Sequence, residues 1–203
     1  MMATPTTGLL VVIEGIDGAG KTTLRAGLAA ALRSEGHEVV ETKEPTDGPL
    51  GQEIRRLARV GRDTVTPEAE LELFLRDRAQ HVAELVLPAL ARHAVVLQDR
   101  SYYSTVAYQG GRGLPADVLV ARSRAVAPQP HLLLVLDLPA EVSQARIARR
   151  GLAADDFEKL GELARVREVF RAFPEAVCVD ATRTEPEVLA EALGHVRSRL
   201  RRP

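Results

Sequence analysis

The sequence has no tryptophan, no asparagine, one cysteine and three lysines among its 203 residues. A lone thiol, Cys178, cannot close an internal disulfide, and no Cys or His spacing resembles a zinc site. Nothing therefore indicates an oxidising compartment or a structural metal. Without asparagine there is no Asn-Lys-x-Asp guanine-reading motif, and Thr-Lys-x-Asp is missing too. Neither sign of charge dominates: 27 basic residues face 28 acidic ones, a net charge of −1, which argues against a broad basic surface for a nucleic-acid polymer. Long apolar runs are also missing at the start. Residues 1–7 carry no Lys or Arg, and the apolar run that follows, Leu9 to Ile13, is too short for a signal peptide or a membrane span. The expectation is a cytoplasmic protein with no membrane partner and a flexible stretch over residues 1–7.

What is present is enough for a globular fold. With 45% apolar and 27% charged residues the chain can bury a core without staples, as one domain over residues 8–203. Disorder, collagen and small disulfide scaffolds are excluded. Lysine is so rare, at Lys21, Lys43 and Lys159, that each one draws attention in a chain that otherwise uses arginine.

Apolar and helical segments alternate. Leu9 to Ile13 reads as a buried strand, broken by the glycines between Gly15 and Gly20 before a helical stretch from Lys21 to Ser34. Further strands are expected near Val39 to Thr42, Val95 to Leu97, Leu132 to Leu136 and Val177 to Val179. Helices are expected near Leu50 to Arg59, Pro67 to Arg92, within Ser101 to Ala127, and at Glu141 to Arg150, Glu158 to Phe173 and Glu185 to Leu200. Short strands with almost no polar residue inside them predict an α/β fold, a five-stranded parallel sheet with helices on both faces. In such sheets ligands bind beyond the carboxyl ends of the strands.

The sharpest motif falls there. Gly15, Ile16, Asp17, Gly18, Ala19, Gly20, Lys21 and Thr22 match G-x-x-x-x-G-K-[ST], the P-loop. Such a loop turns successive backbone N–H groups inward, with a helix N-terminus behind them, an ammonium for the outer phosphates and a hydroxyl for Mg²⁺. These residues are the candidates for ATP binding. A metal-positioning carboxylate is also needed, and two end apolar runs: Asp99 and Asp137. Arg100 beside Asp99 favours the former, whereas Asp137 precedes Pro139 and a helical segment and suits a cap.

At this point the sequence resembles the bacterial thymidylate kinases, from about Leu9 to Leu200. The resemblance rests on Glu14 to Thr23, Thr42-Lys43-Glu44-Pro45, Gly51 to Arg55, Phe74 with Arg78, and Asp99-Arg100. It continues through Ser104 to Gly110 and Leu136 to Glu141. It implies a nucleoside monophosphate kinase fold with a lid, at about residues 146–158, and transfer of the γ-phosphoryl group of ATP to dTMP with Mg²⁺. Lys21, Asp99 and Arg100 would be catalytic, and Thr22 and Asp99 would hold the metal. For dTMP the resemblance implies Asp17 at the 3′-hydroxyl, Phe74 and Arg78 at the base, Thr105 and Gln109 at its polar edge, and Tyr108 against the sugar. Arg55, Arg100 and Lys43 would meet the acceptor's phosphate, and a homodimer is implied. Residue chemistry agrees at the base. Phe74 and Arg78, four apart in a helical pattern, share a face, and a guanidinium can donate to the O4 of thymine but not to the amino group of cytosine. All three tyrosines fall within Tyr102 to Tyr108, a crowding that suggests a nucleoside site. A different acceptor such as dUMP, or a nucleotide-binding module with little transfer, are the alternatives.

Two departures stand out. Where the bacterial pattern runs Thr-Arg-Glu-Pro-Gly-Gly, this chain has Thr42-Lys43-Glu44-Pro45-Thr46-Asp47 before Gly48, a point charge replacing a bidentate fork. In the lid, Asp155-Asp156 stands where an Asp-Arg pair is common, leaving Arg146, Arg149 and Arg150 to approach the transferred phosphoryl.

Overall fold

The computed structural model describes residues 8–61, 64–149 and 160–201. The expectations for residues 1–7, for Arg150 and for most of the lid lie outside the described residues. Strands β1 (Leu9–Glu14), β2 (Val39–Lys43), β3 (Val95–Asp99), β4 (Leu132–Asp137) and β5 (Ala176–Asp180) form a parallel sheet in the order β2-β3-β1-β4-β5. The central three are buried along nearly their whole length, which is why their sequences carry no polar alternation. The edge strands β2 and β5 are only partly covered. Every strand ends on a charged residue: Glu14, Lys43, Asp99, Asp137 and Asp180. Those ends lie together at the carboxyl edge of the sheet, Glu14 and Asp99 buried there and Lys43 and Asp180 exposed.

Helices cover both faces. α1 (Lys21–Ser34) and α9 (Glu185–Leu200) pack together on one side, while α4 (Leu87–Ala91) meets β3 and α8 (Leu160–Arg171) meets β4 and β5 on the other. α2 (Pro49–Val60) and α3 (Pro67–His81) lie side by side. α5 (Tyr102–Gly110) packs on α6 (Ala116–Arg124), and α7 (Ala140–Ala148) packs on α8. The helix expected over Pro67 to Arg92 is broken. A π-helical turn at Val82–Val86 separates α3 from α4, just before Pro88, which lacks an N–H and clashes with the carbonyl a turn earlier. Widening the turn absorbs the proline without ending the rod.

Candidate active site

The P-loop joins β1 to α1. Gly20 takes a left-handed φ of 96° and caps α1 without any side-chain hydrogen bond, and the first turn of that helix holds no acidic residue. By contrast α9 begins with a full capping box of Thr184 and Glu187. The orphan N–H groups of α1 are left for an anion. Inside the loop the buried Lys21 Nζ donates to Gly15 O at 2.9 Å and Ile16 O at 3.0 Å and stands 3.7 Å from Asp17. Burial lowers the Lys21 pKa and Arg100 adds to the effect, while Asp17, Asp99 and Glu14 oppose it. Ser143, on α7, donates to the Asp17 carbonyl and holds the loop from the side.

Next to the loop, Thr22 Oγ1 donates to Asp99 Oδ2 at 2.8 Å, and the buried Asp99 Oδ1 has no hydrogen-bond partner among the described residues. A hydroxyl and an unsatisfied carboxylate oxygen, beside a phosphate cradle, are the hard oxygen donors that suit Mg²⁺. Asp137 is not part of this corner and does not cap α7 either, whose N-terminus has no side-chain cap. Arg167 of α8 grips it at 2.6 and 3.1 Å.

A cavity of about 260 Å³ opens on the other side of Asp17, lined by Asp17, Arg55, Phe74, Arg100, Thr105, Tyr108 and Gln109 among others. Phe74 is only half-buried, its ring on the cavity wall, while Leu71 and Leu75 of the same helix enter a small apolar cluster. Of the three tyrosines only Tyr108 reaches this wall. Tyr102 and Tyr103 are core residues, stacked on each other at 4.2 Å, with Phe173 edge-on to Tyr103. The expectation that the tyrosine cluster marks a nucleoside site is thus corrected for two of the three, because Tyr102 and Tyr103, at the start of α5, turn into the main hydrophobic core.

Arg78 lies just behind, 1% exposed. It pairs with Glu44 at 2.8 Å and donates to Thr105 Oγ1 at 2.9 Å, and its Nη1 has no hydrogen-bond partner among the described residues. Glu44 is the centre of a buried network that also receives Gln98 at 3.1 Å and touches His81 at 3.0 Å, with Thr42 2.6 Å from the far ring nitrogen. Burial pushes the Glu44 pKa upward, but Arg78 and His81 more than reverse it, holding the carboxylate charged.

Arg100 is the hinge between cavity and loop. Its backbone is left-handed at φ 68°, unusual for a residue with a side chain. Its guanidinium pairs with Asp17, donates to Ser104 Oγ at 3.1 Å and lies 5.5 Å from the Tyr108 ring centre. The conformation is held from beneath by Glu14, fully buried, which accepts from Ser101 N at 2.7 Å, Ser104 N at 3.1 Å and Ser104 Oγ at 2.7 Å. Burial raises the Glu14 pKa to about 7 against the pull of Arg100 and these donors. Lys43 and Arg55 face the groove between loop and cavity, along with Lys21, Thr22, Asp99 and Arg100.

A larger cavity of about 610 Å³ lies on the opposite side of the P-loop, between Gly18, Thr23, Leu24, Leu136, Ala181, Arg183 and Leu189. Arg146 lines it, donating to Gly18 O at 3.4 Å and Ala181 O at 3.0 Å. Arg149 follows the end of α7 at the surface. Sequence reasoning gave no role to Glu14, Glu44, His81, Gln98, Ser104 or Arg183. Only Glu14 and Glu44 carried a usable signal, as acids at or just beyond the ends of β1 and β2.

A family model described as Thymidylate kinase matches residues 13–192. The curated "Thymidylate kinase" of Xylella fastidiosa (strain M12) is 47% identical over 196 residues, 96% of this chain and 89% of that protein. The one from Xanthomonas euvesicatoria pv. vesicatoria (strain 85-10) is 49% identical over 187 residues, 91% of this chain and 81% of that protein. A Xanthomonas campestris pv. campestris (strain B100) relative of the same name is 48% identical over the same length.

Proposed function

This chain belongs to the thymidylate kinase family, and from that premise we propose how its own residues carry a phosphoryl group from ATP to dTMP, giving ADP and dTDP. Neither alternative raised by the sequence, another acceptor or a binding module with little transfer, is favoured by relatives this similar along nearly the whole chain. One observation carries the assignment of residues: two cavities meet at the P-loop, one walled by an aromatic face with a buried donor behind it, the other beside the uncapped helix end.

ATP takes the larger cavity for its base, with its β- and γ-phosphates on the amides of Gly18 to Thr22 and the Lys21 ammonium. In the smaller cavity the thymine stacks on Phe74, and Arg78 Nη1 offers its unused N–H toward O4. Thr105 and Gln109 face the remaining polar edge. Tyr108 packs against the sugar, and Asp17 accepts from the 3′-hydroxyl. Arg55, Arg100 and Lys43 bring the acceptor's phosphate into line, offsetting repulsion between two polyanions that reaches several kcal/mol at about 4 Å and intermediate dielectric. A phosphate oxygen of dTMP attacks the γ-phosphorus, the bond to the β,γ-bridging oxygen breaks, and ADP leaves with that electron pair. Thr22 and Asp99 would hold Mg²⁺, which would supply neutralisation of phosphate charge. Arg146, Arg149 and Arg150 are assigned to the charge that builds on the moving group.

The exposed thiol of Cys178 suits a reducing compartment, so a cytoplasmic location forms part of the same reading, as does a homodimer. Leu85, Leu87 and Val118 are exposed apolar side chains that such an interface could cover. No helix among the described residues is long and apolar enough to cross a membrane. Coupled measurement of ADP release with dTMP, dUMP, dCMP, dGMP or no acceptor tests the reading. Release that ignores the acceptor, or strong turnover of dCMP, contradicts it.

A further inference from the structure

Lys43 and Arg55 already share a carboxylate of this chain. Asp47 Oδ1 lies 3.0 Å from Lys43 Nζ and 3.5 Å from Arg55 Nη2. One oxygen between two cations is the arrangement an acceptor phosphate would take. Hydrogen bonds fix the loop that carries Asp47. Asp77 on α3 accepts from Thr46 N at 2.9 Å and Thr46 Oγ1 at 2.6 Å, and Thr46 Oγ1 in turn accepts from Gly48 N at 3.1 Å. A Cβ on Gly51 would lie 2.0 Å from Thr46 O, so only glycine lets the loop settle on α2. Arg55 Nη1 donates to Pro45 O at 2.8 Å, fixing the guanidinium against the same loop. Asp47 itself is left open, its side chain 78% exposed, and its pKa is held down first by the hydrogen bond from Lys43. Of the three departures from the family pattern in this segment, at Lys43, Thr46 and Asp47, the lysine and the aspartate therefore meet each other.

We infer that Asp47 is an internal counter-anion that occupies the acceptor-phosphate cations in the empty site and sets the affinity for dTMP by competing with its phosphate. The inference rests on the assignment of Lys43 and Arg55 given above. Exposed ion pairs are weak, so a dianionic phosphate displaces the carboxylate at small cost, equivalent to about two- to fivefold in affinity. Once the phosphate is bound, Asp47 has already let go, so the penalty falls on binding and not on the transfer step.

The test is steady-state kinetics of Asp47→Asn and Asp47→Gly. The KM for dTMP is expected to fall about two- to fivefold, with kcat and the KM for ATP unchanged. Thymidine, which has no phosphate to compete with the carboxylate, is expected to bind wild type and both variants equally. The difference between wild type and variants should fade at about 0.5 M salt, where the screening length is only a few ångströms. A KM for dTMP that stays the same or rises in both variants overturns the inference, as does an equal gain in thymidine binding. Arg55→Ala separates this from the underlying assignment. If Arg55→Ala leaves the KM for dTMP at the wild-type value, the assignment of the phosphate cations fails. If it raises that KM while the Asp47 variants do nothing, only the counter-anion fails.

Discussion

Thr22 Oγ1 donates a 2.8 Å hydrogen bond to Asp99 Oδ2, tying the first turn of α1 to the carboxyl end of β3 across the groove. The other carboxylate oxygen, buried and without a partner among the described residues, is thereby aimed where a cation would sit. A buried, unsatisfied acceptor costs about 1–3 kcal/mol, a cost that a bound Mg²⁺ relieves. Asp99→Asn is therefore expected to raise the Mg²⁺ concentration needed for half-maximal rate and to lower kcat, without loss of thermal stability. Activity titrations against Mg²⁺ and a melting curve check it, and an unchanged Mg²⁺ requirement contradicts the role.

Removing the Lys21 ammonium takes away the one side-chain cation inside the P-loop. Lys21→Ala should lower dTMP-dependent ADP formation by about 10²- to 10³-fold, the scale of losing a positioned group that stabilises charge in the transition state. A coupled assay reads this directly. Retained turnover would refute the loop's assignment.

Phe74→Ala should raise the KM for dTMP by about tenfold, since stacking a base on an aromatic ring is worth roughly 1–3 kcal/mol. Thymidine binding measured by calorimetry should weaken in parallel. If neither constant moves, the base does not stack there.

The Arg78 and Glu44 side chains are 2% and 4% exposed. Truncating one partner of such a buried pair strands the other charge, so Arg78→Ala should cost about 3–5 kcal/mol of folding stability besides losing activity. Urea unfolding measures it, and a loss below about 1 kcal/mol, the scale of an exposed pair, would contradict the network as described.

Glu14 gives a pH signature. Its pKa rises from 4.5 to about 7 on folding, so between those values the native state binds more protons than the unfolded chain. Stability contributed by this group is greatest below pH 4.5 and declines as pH rises through 7. Glu14→Gln should flatten that part of the profile. Urea unfolding of both proteins at pH 5 and pH 8 is the comparison, and identical slopes would exclude the shift.

Much of the fold was legible because its signals are local. The buried run Leu9 to Ile13, the glycine loop and the helix opening at Lys21 follow from hydrophobic periodicity and turn chemistry within a few residues of one another. The break at Val82–Val86 was not read, although Pro88 is its cause, because a proline can end a helix, kink it or be absorbed by a wider turn. Periodicity alone cannot choose among these. The tyrosines failed for a related reason: which side of α5 turns into the core depends on how that helix docks, and crowding in sequence does not report it.

The sequence by itself determined the P-loop motif, since loop, helix end, ammonium and hydroxyl all lie within eight consecutive residues and need no distant partner. Only the tertiary structure set Asp99 against Thr22 and Asp137 against Arg167, brought Glu44 to Arg78 across 34 positions, and set Glu14 beneath Ser101 and Ser104. The physical reason is that buried charges survive only with partners. In a parallel sheet those partners arrive from strands and helices far apart in the chain, whose meeting is fixed by strand order and packing and not by spacing along the sequence.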